Sequence, residues 1–351
     1  MDREAPTGIR IRRVGFRSGT DAELSAMHLV ESEIHSERHP GSPGQPLQSY
    51  FAFARSLPSH FGDHTWVAEG SDGTPVGCAA CWSNTAGDPR LMESYVYVRQ
   101  PWRRQGVGAR LARAVAHEAL TEDRATLVWS TYDAAPAGDA FSRRVGGQVG
   151  RVNRNSELAL EEIDWVRVQL WADEGPLRAP GYAVQIWDGP FPDHMIDDAC
   201  RFHHIMNTQP RDDLEVGDVV LDREQVAQLD QHLFESGRQR WTMFVRDPDG
   251  DCVGGTELTF EPWEPTLVLQ QNTAIDPDHR GLGLAKWAKA AMLLRLRSER
   301  PEVLLVRTGN AFSNDAMLAI NRALGFRITE VRTEWQGSVA ELHERLPVEE
   351  A

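Results

Sequence analysis

The sequence predicts an α/β (α+β) chain made of two copies of one fold, each a mixed, mostly antiparallel sheet flanked by helices. Three observations carry this. A glycine-rich stretch occurs twice: VRQPWRRQGVGAR (98–110) places Arg103, Gly106 and Gly108 177 residues before Arg280, Gly283 and Ala285 of IDPDHRGLGLAKWAK (275–289), with Val98 the same distance before Ile275. The register extends outward, since Asp72-Gly73 matches Asp249-Gly250, Val76-Gly77 matches Val253-Gly254 and Thr131 matches Thr308, all at that offset. A register held across about sixty positions marks an internal duplication. Each half also reads as a strand, two helical runs, three antiparallel strands, a helix, a strand, a helix and a closing strand. The expected domains are 1–165 and 166–351, each long enough to bury its own core.

In chain order, GIRIRRVGF (8–16) is an expected first strand, and Asp21 an expected cap for a helix over Asp21–Ser36. The loop HPGSPGQP (39–46) ends that helix and a second covers Leu47–Leu57. Strands at 64–70, 76–83 and 91–98 follow, the first two joined by an Asp-Gly turn. The helix over Gly106–Leu120 sets Val107, Leu111, Val115 and Ala119 on one face at intervals of four. A buried strand at 125–131, a short helix and a strand near 156–160 complete the first copy. The charged, proline-ended stretch 161–180 is the expected connection. The second copy has strands at 181–187, 241–246, 252–260, 266–275, 303–308 and 326–335, and helices at Asp193–Met206, Arg223–Ser236, after Gly283, and 314–324. Gly146 and Gly325 follow the last helix of each copy, where a left-handed residue suits the helix end.

The formal charge of −15 is unevenly divided: 21 acidic against 18 basic residues in 1–165, and 31 against 19 in 166–351. Such a balance argues against a nucleic-acid partner and suits a cationic amine. Without a run of about 18 apolar residues or an apolar segment in MDREAPTGIRIRR, neither a membrane span nor a secretory signal is expected, and the expected location is cytoplasmic. Cys78 and Cys81 form a CxxC with apolar Ala79 and Ala80 between them, which reads as a buried strand. His35 with His39, and His60 with His64, have a spacing compatible with a metal, but further ligands are lacking, and no metal is expected.

A glycine turn that opens a helix presents unpaired backbone N–H groups and the positive end of the helix dipole, a combination that suits a phosphate or pyrophosphate. With VRQPWRRQGVG, IDPDHRGLGLA and TGNAFSNDAMLAINRALGF (308–326), the chain resembles the GNAT superfamily of acyl-CoA-dependent N-acyltransferases, twice over and in element order as well as in motif. The second half further resembles C-terminal copies of tandem GNAT proteins of actinobacteria. The resemblance implies acetyl-CoA as co-substrate. It implies that the loop amides of Arg103, Arg104, Gln105, Gly106, Val107 and Gly108, and of Arg280, Gly281, Leu282, Gly283, Leu284 and Ala285, hold the pyrophosphate. It further implies that Val98 and Ile275 flank the thioester arm in the gap between splayed strands, and that Asn310 and Asn314 lie near the pantetheine.

Direct amine attack on a thioester needs a base for the amine, a donor for the developing oxyanion and an acid for the thiolate. Where the family often carries an acidic Tyr, this chain has Ser142 and Asn321, neither a good proton donor, although a thiolate of pKa roughly 8 to 9 leaves without much help. Glu257, facing Ala80 at the 177 offset, is the first candidate base, and Glu93, facing Gln270, the second. Asp133 replaces Asn310 and Gly147 replaces Phe326, so the second copy is the expected catalytic one. The expected function is transfer of acetyl from acetyl-CoA to a primary amine of a small molecule. The competing readings are protein lysine acetylation and a non-catalytic acyl-CoA-binding, sensory or structural protein.

Overall fold

The computed structural model describes residues 8–346. Its elements begin with β1 (Arg10–Val14), α1 (Asp21–Arg38), α2 (Leu47–Arg55), β2 (Phe61–Glu69), β3 (Pro75–Asn84), β4 (Leu91–Val98), α3 (Val107–Thr121), β5 (Thr126–Tyr132), α4 (Pro136–Val145) and β6 (Gln148–Ala159). They continue with α5 (Trp165–Arg178), β7 (Ala183–Asp188), α6 (Ile196–Met206), α7 (Arg223–Glu235), β8 (Gln239–Arg246), β9 (Cys252–Phe260), β10 (Leu267–Ile275), α8 (Leu284–Glu299), β11 (Leu305–Ala311), α9 (Asp315–Leu324), β12 (Arg327–Ser338) and α10 (Val339–Arg345). The fold class is the mixed, mostly antiparallel α/β one expected.

Two compact units result. Unit 1 takes the chain up to Arg151, the short piece Asp213–Gly217 and the chain from Thr333 on; unit 2 takes Val152–Asp212 and Asp218–Arg332. The units do not follow the repeat boundary at 165. In unit 1 the sheet order is β1-β2-β3-β4-β5, followed by the part of β12 from Thr333 on. In unit 2 it is β7-β8-β9-β10-β11, followed by the part of β6 from Val152 on. The closing strand of each sheet therefore comes from the other copy's sequence. The helices after those strands go with them: α10 packs on α3 in unit 1 and α5 on α8 in unit 2.

In each unit a parallel pair sits among antiparallel ones. β4 and β5 pair in parallel from Leu91↔Thr126 to Ser94↔Trp129, and β10 and β11 from Leu267↔Leu305 to Gln270↔Thr308. On the other side the glycines of the repeat allow a close strand approach: a Cβ on Gly77 would lie 2.8 Å from the Tyr97 carbonyl oxygen, and one on Gly254 2.3 Å from that of Ala274. On α3, Val107, Leu111, Val115 and Ala119 are all buried against the sheet, as their spacing predicts.

Four expectations change. The cap of α1 is Thr20, in a reciprocal capping box with Glu23, so Asp21 is the first helical residue. Stretch 161–180 contains α5: Asp164 caps it at the Arg167 amide, and Val168 and Gly175 are buried, Gly175 directly against the Trp287 ring. Its Pro176 sits near the end of the helix. Residues 336–345 form the rest of β12 and α10. Finally, the 177 offset does not persist to β5. Two additional residues between α8 and β11 put Thr308 where Trp129 stands and Asn310 where Thr131 stands, while a bulge between Gln270 and Thr273 makes Leu269 the counterpart of Glu93. Chance identity of Thr131 and Thr308 conceals the insertion in the sequence.

Candidate functional site: the split of the unit 1 sheet

Past Ser94↔Trp129 the parallel strands part, which leaves the β4 edge over 95–98 unpaired with β5. A cleft of about 370 Å3 opens in unit 1 along this split, within the range of small-molecule sites. Side-chain alternation gives it two faces. Val96 and Val98 point to the α3 core, where the helix presents only Ala109, Ala112, Val115 and Ala116; Tyr95 and Tyr97 point to the α1–α2 core.

At one end of the cleft lies the glycine loop. Arg104 and Gly106 both have left-handed φ, 64° and 85°, and Gly281 and Gly283 repeat this at 82° and 81°. A Cβ on Gly106 or Gly281 would meet nothing within 4 Å, so the space in front of each loop is open. The first-turn amides of Val107, Gly108 and Ala109, and of Leu284, Ala285 and Lys286, have no partner within their helix. Arg103 and Arg280 do the same task in both copies: Nε donates to the carbonyl of Val98 or Ile275 at 2.9 Å and ties the loop to the end of the strand. The outer guanidinium of Arg103 is paired with Glu37, whose carboxyl it holds below the ordinary range, and that of Arg280 donates to Thr208 at 2.6 Å. Both arginines thus shape the loop.

Sequence reasoning missed the α1 side of the cleft. Tyr95, Tyr97 and Tyr132 line it with Ile34, Glu37 and Arg38; the Arg38 guanidinium lies 3.2 Å from the Tyr132 ring centroid and Tyr97 stacks on Tyr95 at 4.5 Å. The YVYV alternation of β4 was the available signal. Ser142 also lines the cleft, but its hydroxyl accepts from Trp129 Nε1 at 2.8 Å and donates to the Gly138 carbonyl at 2.9 Å, so it has no proton to give.

Residues 28–146 match the model of the acetyltransferase (GNAT) family. Residues 28–146 form a GNAT domain, and the chain has the tandem GNAT fold. Among solved structures, a tandem GNAT protein from the clavulanic acid biosynthesis pathway, solved without AcCoA, is 22% identical over 94% of this chain and 99% of its own, with a TM-score of 0.75. A GCN5-related N-acetyltransferase from Sphaerobacter thermophilus is 12% identical over 95% and 96% of the two chains, with a TM-score of 0.64. At these identities the likeness is one of fold. Among curated proteins none matches by sequence.

The second copy of the fold keeps the loop but alters the cleft wall. Lys286, Lys289, Met292 and Leu293 stand on α8 where α3 has Ala109, Ala112, Val115 and Ala116, and Lys289, Met292 and Leu293 are buried. Trp129 and Gly147 of unit 1 are replaced by Thr308 and Phe326. The exchange is one of volume, since a Cβ on Gly147 would lie 2.5 Å from the Trp129 ring.

The amide and acidic candidates of the sequence have other occupations. Asn314 is the cap of α9, accepting from the Met317 amide and donating to Gln209 at 2.9 Å. Asn321 is buried and donates to Asn310 at 2.7 Å. Glu257 accepts from Thr242 at 3.1 Å and from Asn272 at 3.0 Å, and Arg240, paired with Asp230 at 2.5 Å, lies 3.9 Å away. These groups make a buried polar network held by hydrogen bonds to Glu257 and by the Arg240–Asp230 ion pair. Glu93 is exposed on β4, one residue outside the cleft lining. His64 meets Glu118 and Glu122 with donor atoms within 4.8 Å of one another, but Arg13 donates to both oxygens of Glu118 at 2.9 and 3.0 Å, so a cation already faces that group.

Proposed function

We propose that this protein is an acyl-CoA-dependent N-acyltransferase whose working site is the unit 1 cleft, with acetyl-CoA as donor and the primary amine of a small molecule as acceptor. The observation that carries the reading is the 370 Å3 split between β4 and β5, which opens onto the glycine loop. The residues fit a CoA thioester: open space at Gly106 and the first-turn amides of α3 suit a pyrophosphate, and the unpaired β4 edge over 95–98 offers backbone groups to an amide-bearing arm. Val98 and the small face of α3 leave room for that arm. Because pairing resumes at Ser94↔Trp129, the arm reaches its limit there, with the tyrosine face turned toward the acceptor.

In this reading Arg103 keeps the loop shaped, the amides of Arg104 to Gly108 bind, and the cleft walls exclude water from the thioester. Unit 2, with the α8 side chains in its wall, is a supporting copy. This departs from the expectation, based on Asn310, Asn314 and Glu257, that the second copy reacts. No helix among the described residues is long and apolar enough to cross a membrane, and a cytoplasmic location is part of the proposal.

The test is thiol release from acetyl-CoA in the presence of small primary amines. Amine-dependent release that disappears in Gly106→Glu supports the reading. Tight CoA binding without release from any amine would leave a CoA-binding protein and remove the transferase reading.

A further inference from the structure

The unit 1 cleft has a proton acceptor behind its tyrosine wall. Tyr95 lines the cleft from β4, and its hydroxyl donates to Glu31 Oε1 at 2.5 Å. Tyr50 from α2 donates to the same oxygen at 2.9 Å, so Glu31, on α1, is the acceptor shared by two phenols. Tyr97 stacks on Tyr95 with an interplanar angle of 20°, and the His28 ring stands against Tyr50, which fixes both rings. Burial raises the Glu31 carboxyl above its ordinary range, opposed by the hydrogen bonds from Tyr95 and Tyr50. The nearby cations are engaged elsewhere: Arg99 with Glu33, Arg103 with Glu37, and Arg38 over Tyr132. A carboxylate in this setting binds a proton more readily than an exposed one, and Tyr95 connects it to the cleft.

The geometry points to Tyr95 and Glu31 as the relay that removes the acceptor's proton, Tyr95 touching the substrate and Glu31 acting through it. This rests on the transferase reading of the unit 1 cleft. The ammonium proton passes to the Tyr95 oxygen as the Tyr95 proton moves to Glu31 Oε1. The freed amine lone pair forms the C–N bond to the acyl carbon, the C–S bond breaks, and its electron pair leaves on the CoA sulfur. The second amine proton goes to water, the thiolate takes one from water, and Glu31 returns its proton to solvent before the next turnover. Asn321 and Ser142, at the family's usual acid position, are not needed.

The experiment measures thiol release from acetyl-CoA with tyramine, spermidine and glucosamine as probes, as a function of pH, alongside CoA affinity. Wild type should show a rate that rises with pH through the raised pKa of Glu31, because the relay requires the carboxylate. Glu31→Gln and Tyr95→Phe should lose about 10²–10⁴ in rate, the usual worth of base catalysis, with CoA affinity retained and the acid limb gone. Tyr50→Phe removes one donor to Glu31 and should shift that limb to higher pH, a change that a merely structural role would not produce. If Glu31→Gln fails to fold, the Tyr50→Phe limb decides. A wild-type rate and limb in Glu31→Gln, or an unmoved limb in folded Tyr50→Phe, overturns the relay. CoA binding without release from any of the three amines also removes it, together with transfer, whereas absence of CoA binding in wild type is the failure of the CoA reading itself.

Discussion

Lys289 has an amine in the core of unit 2 and an aromatic ring, that of Phe326 at 5.9 Å, as its neighbour. Only 2% of the residue is exposed, and burial lowers its pKa from the ordinary 10.5 to about 7. At about 1.4 kcal/mol per unit, that shift is on the order of 4–5 kcal/mol of differential interaction. Because the folded pKa is depressed, the unfolded chain holds the extra proton between pH 7 and 10.5, so stability rises across that window and falls as pH drops toward 7. Lys289→Met should raise the urea midpoint at pH 7 and remove this part of the slope, read as the difference between the two proteins' midpoints over pH 7–10. Parallel curves would show that the amine is hydrated. The sequence displayed Lys289 as one of two lysines among 37 basic residues, but not that it faces inward, because helical spacing around a glycine turn does not say which neighbours fill the space opposite.

The difference between the copies is clearest between α3 and α8. Both helices start from a left-handed glycine and follow corresponding strands, β4 and β10, yet α3 borders the cleft with alanines where α8 has Lys289 and Leu293. Ala112→Leu with Ala116→Leu should fill the unit 1 cleft and weaken CoA binding at least about tenfold, while far-UV circular dichroism stays as in wild type; added bulk in a packed site usually costs about 1–3 kcal/mol. Unchanged affinity would mean that CoA does not use this face. The four-residue spacing made α3 and its buried face legible, and the Asp-Gly turns made the hairpins so. By contrast, α5 was hidden by its charges and by Pro176, because its helicity comes from packing against Trp287, a tertiary contact. The Glu31 site was equally hidden: its three residues lie on α1, α2 and β4, 19 and 64 positions from Glu31, and share no motif.

For the molecule, the duplication was legible and the assignment of the closing strands was not. A repeated pattern fixes which fold is built twice, but either β6 or β12 satisfies the same hydrogen-bonding edge, and sequence similarity between the copies makes them interchangeable on paper. Unit 1 depends on the end of the chain: Trp335 donates to Thr131 at 2.6 Å, and Val339, Leu342 and Leu346 join the α3 core. Burying three such aliphatic side chains is worth roughly 1.5–3 kcal/mol each, comparable with the whole stability of a domain, about 5–15 kcal/mol. Removing the residues from Thr333 on should therefore unfold the cleft near the N-terminus and spare unit 2, seen as loss of amide-exchange protection in β4 and α3 with protection in β9 and β10 retained. Loss in β9 and β10 alone would contradict the strand exchange. The most direct test of the central claim is a calorimetric titration of CoA into wild type, Gly106→Glu and Gly283→Glu. The unit 1 reading predicts that tight binding disappears in Gly106→Glu and persists in Gly283→Glu; binding that survives Gly106→Glu and is lost in Gly283→Glu would place the site in unit 2 and contradict it.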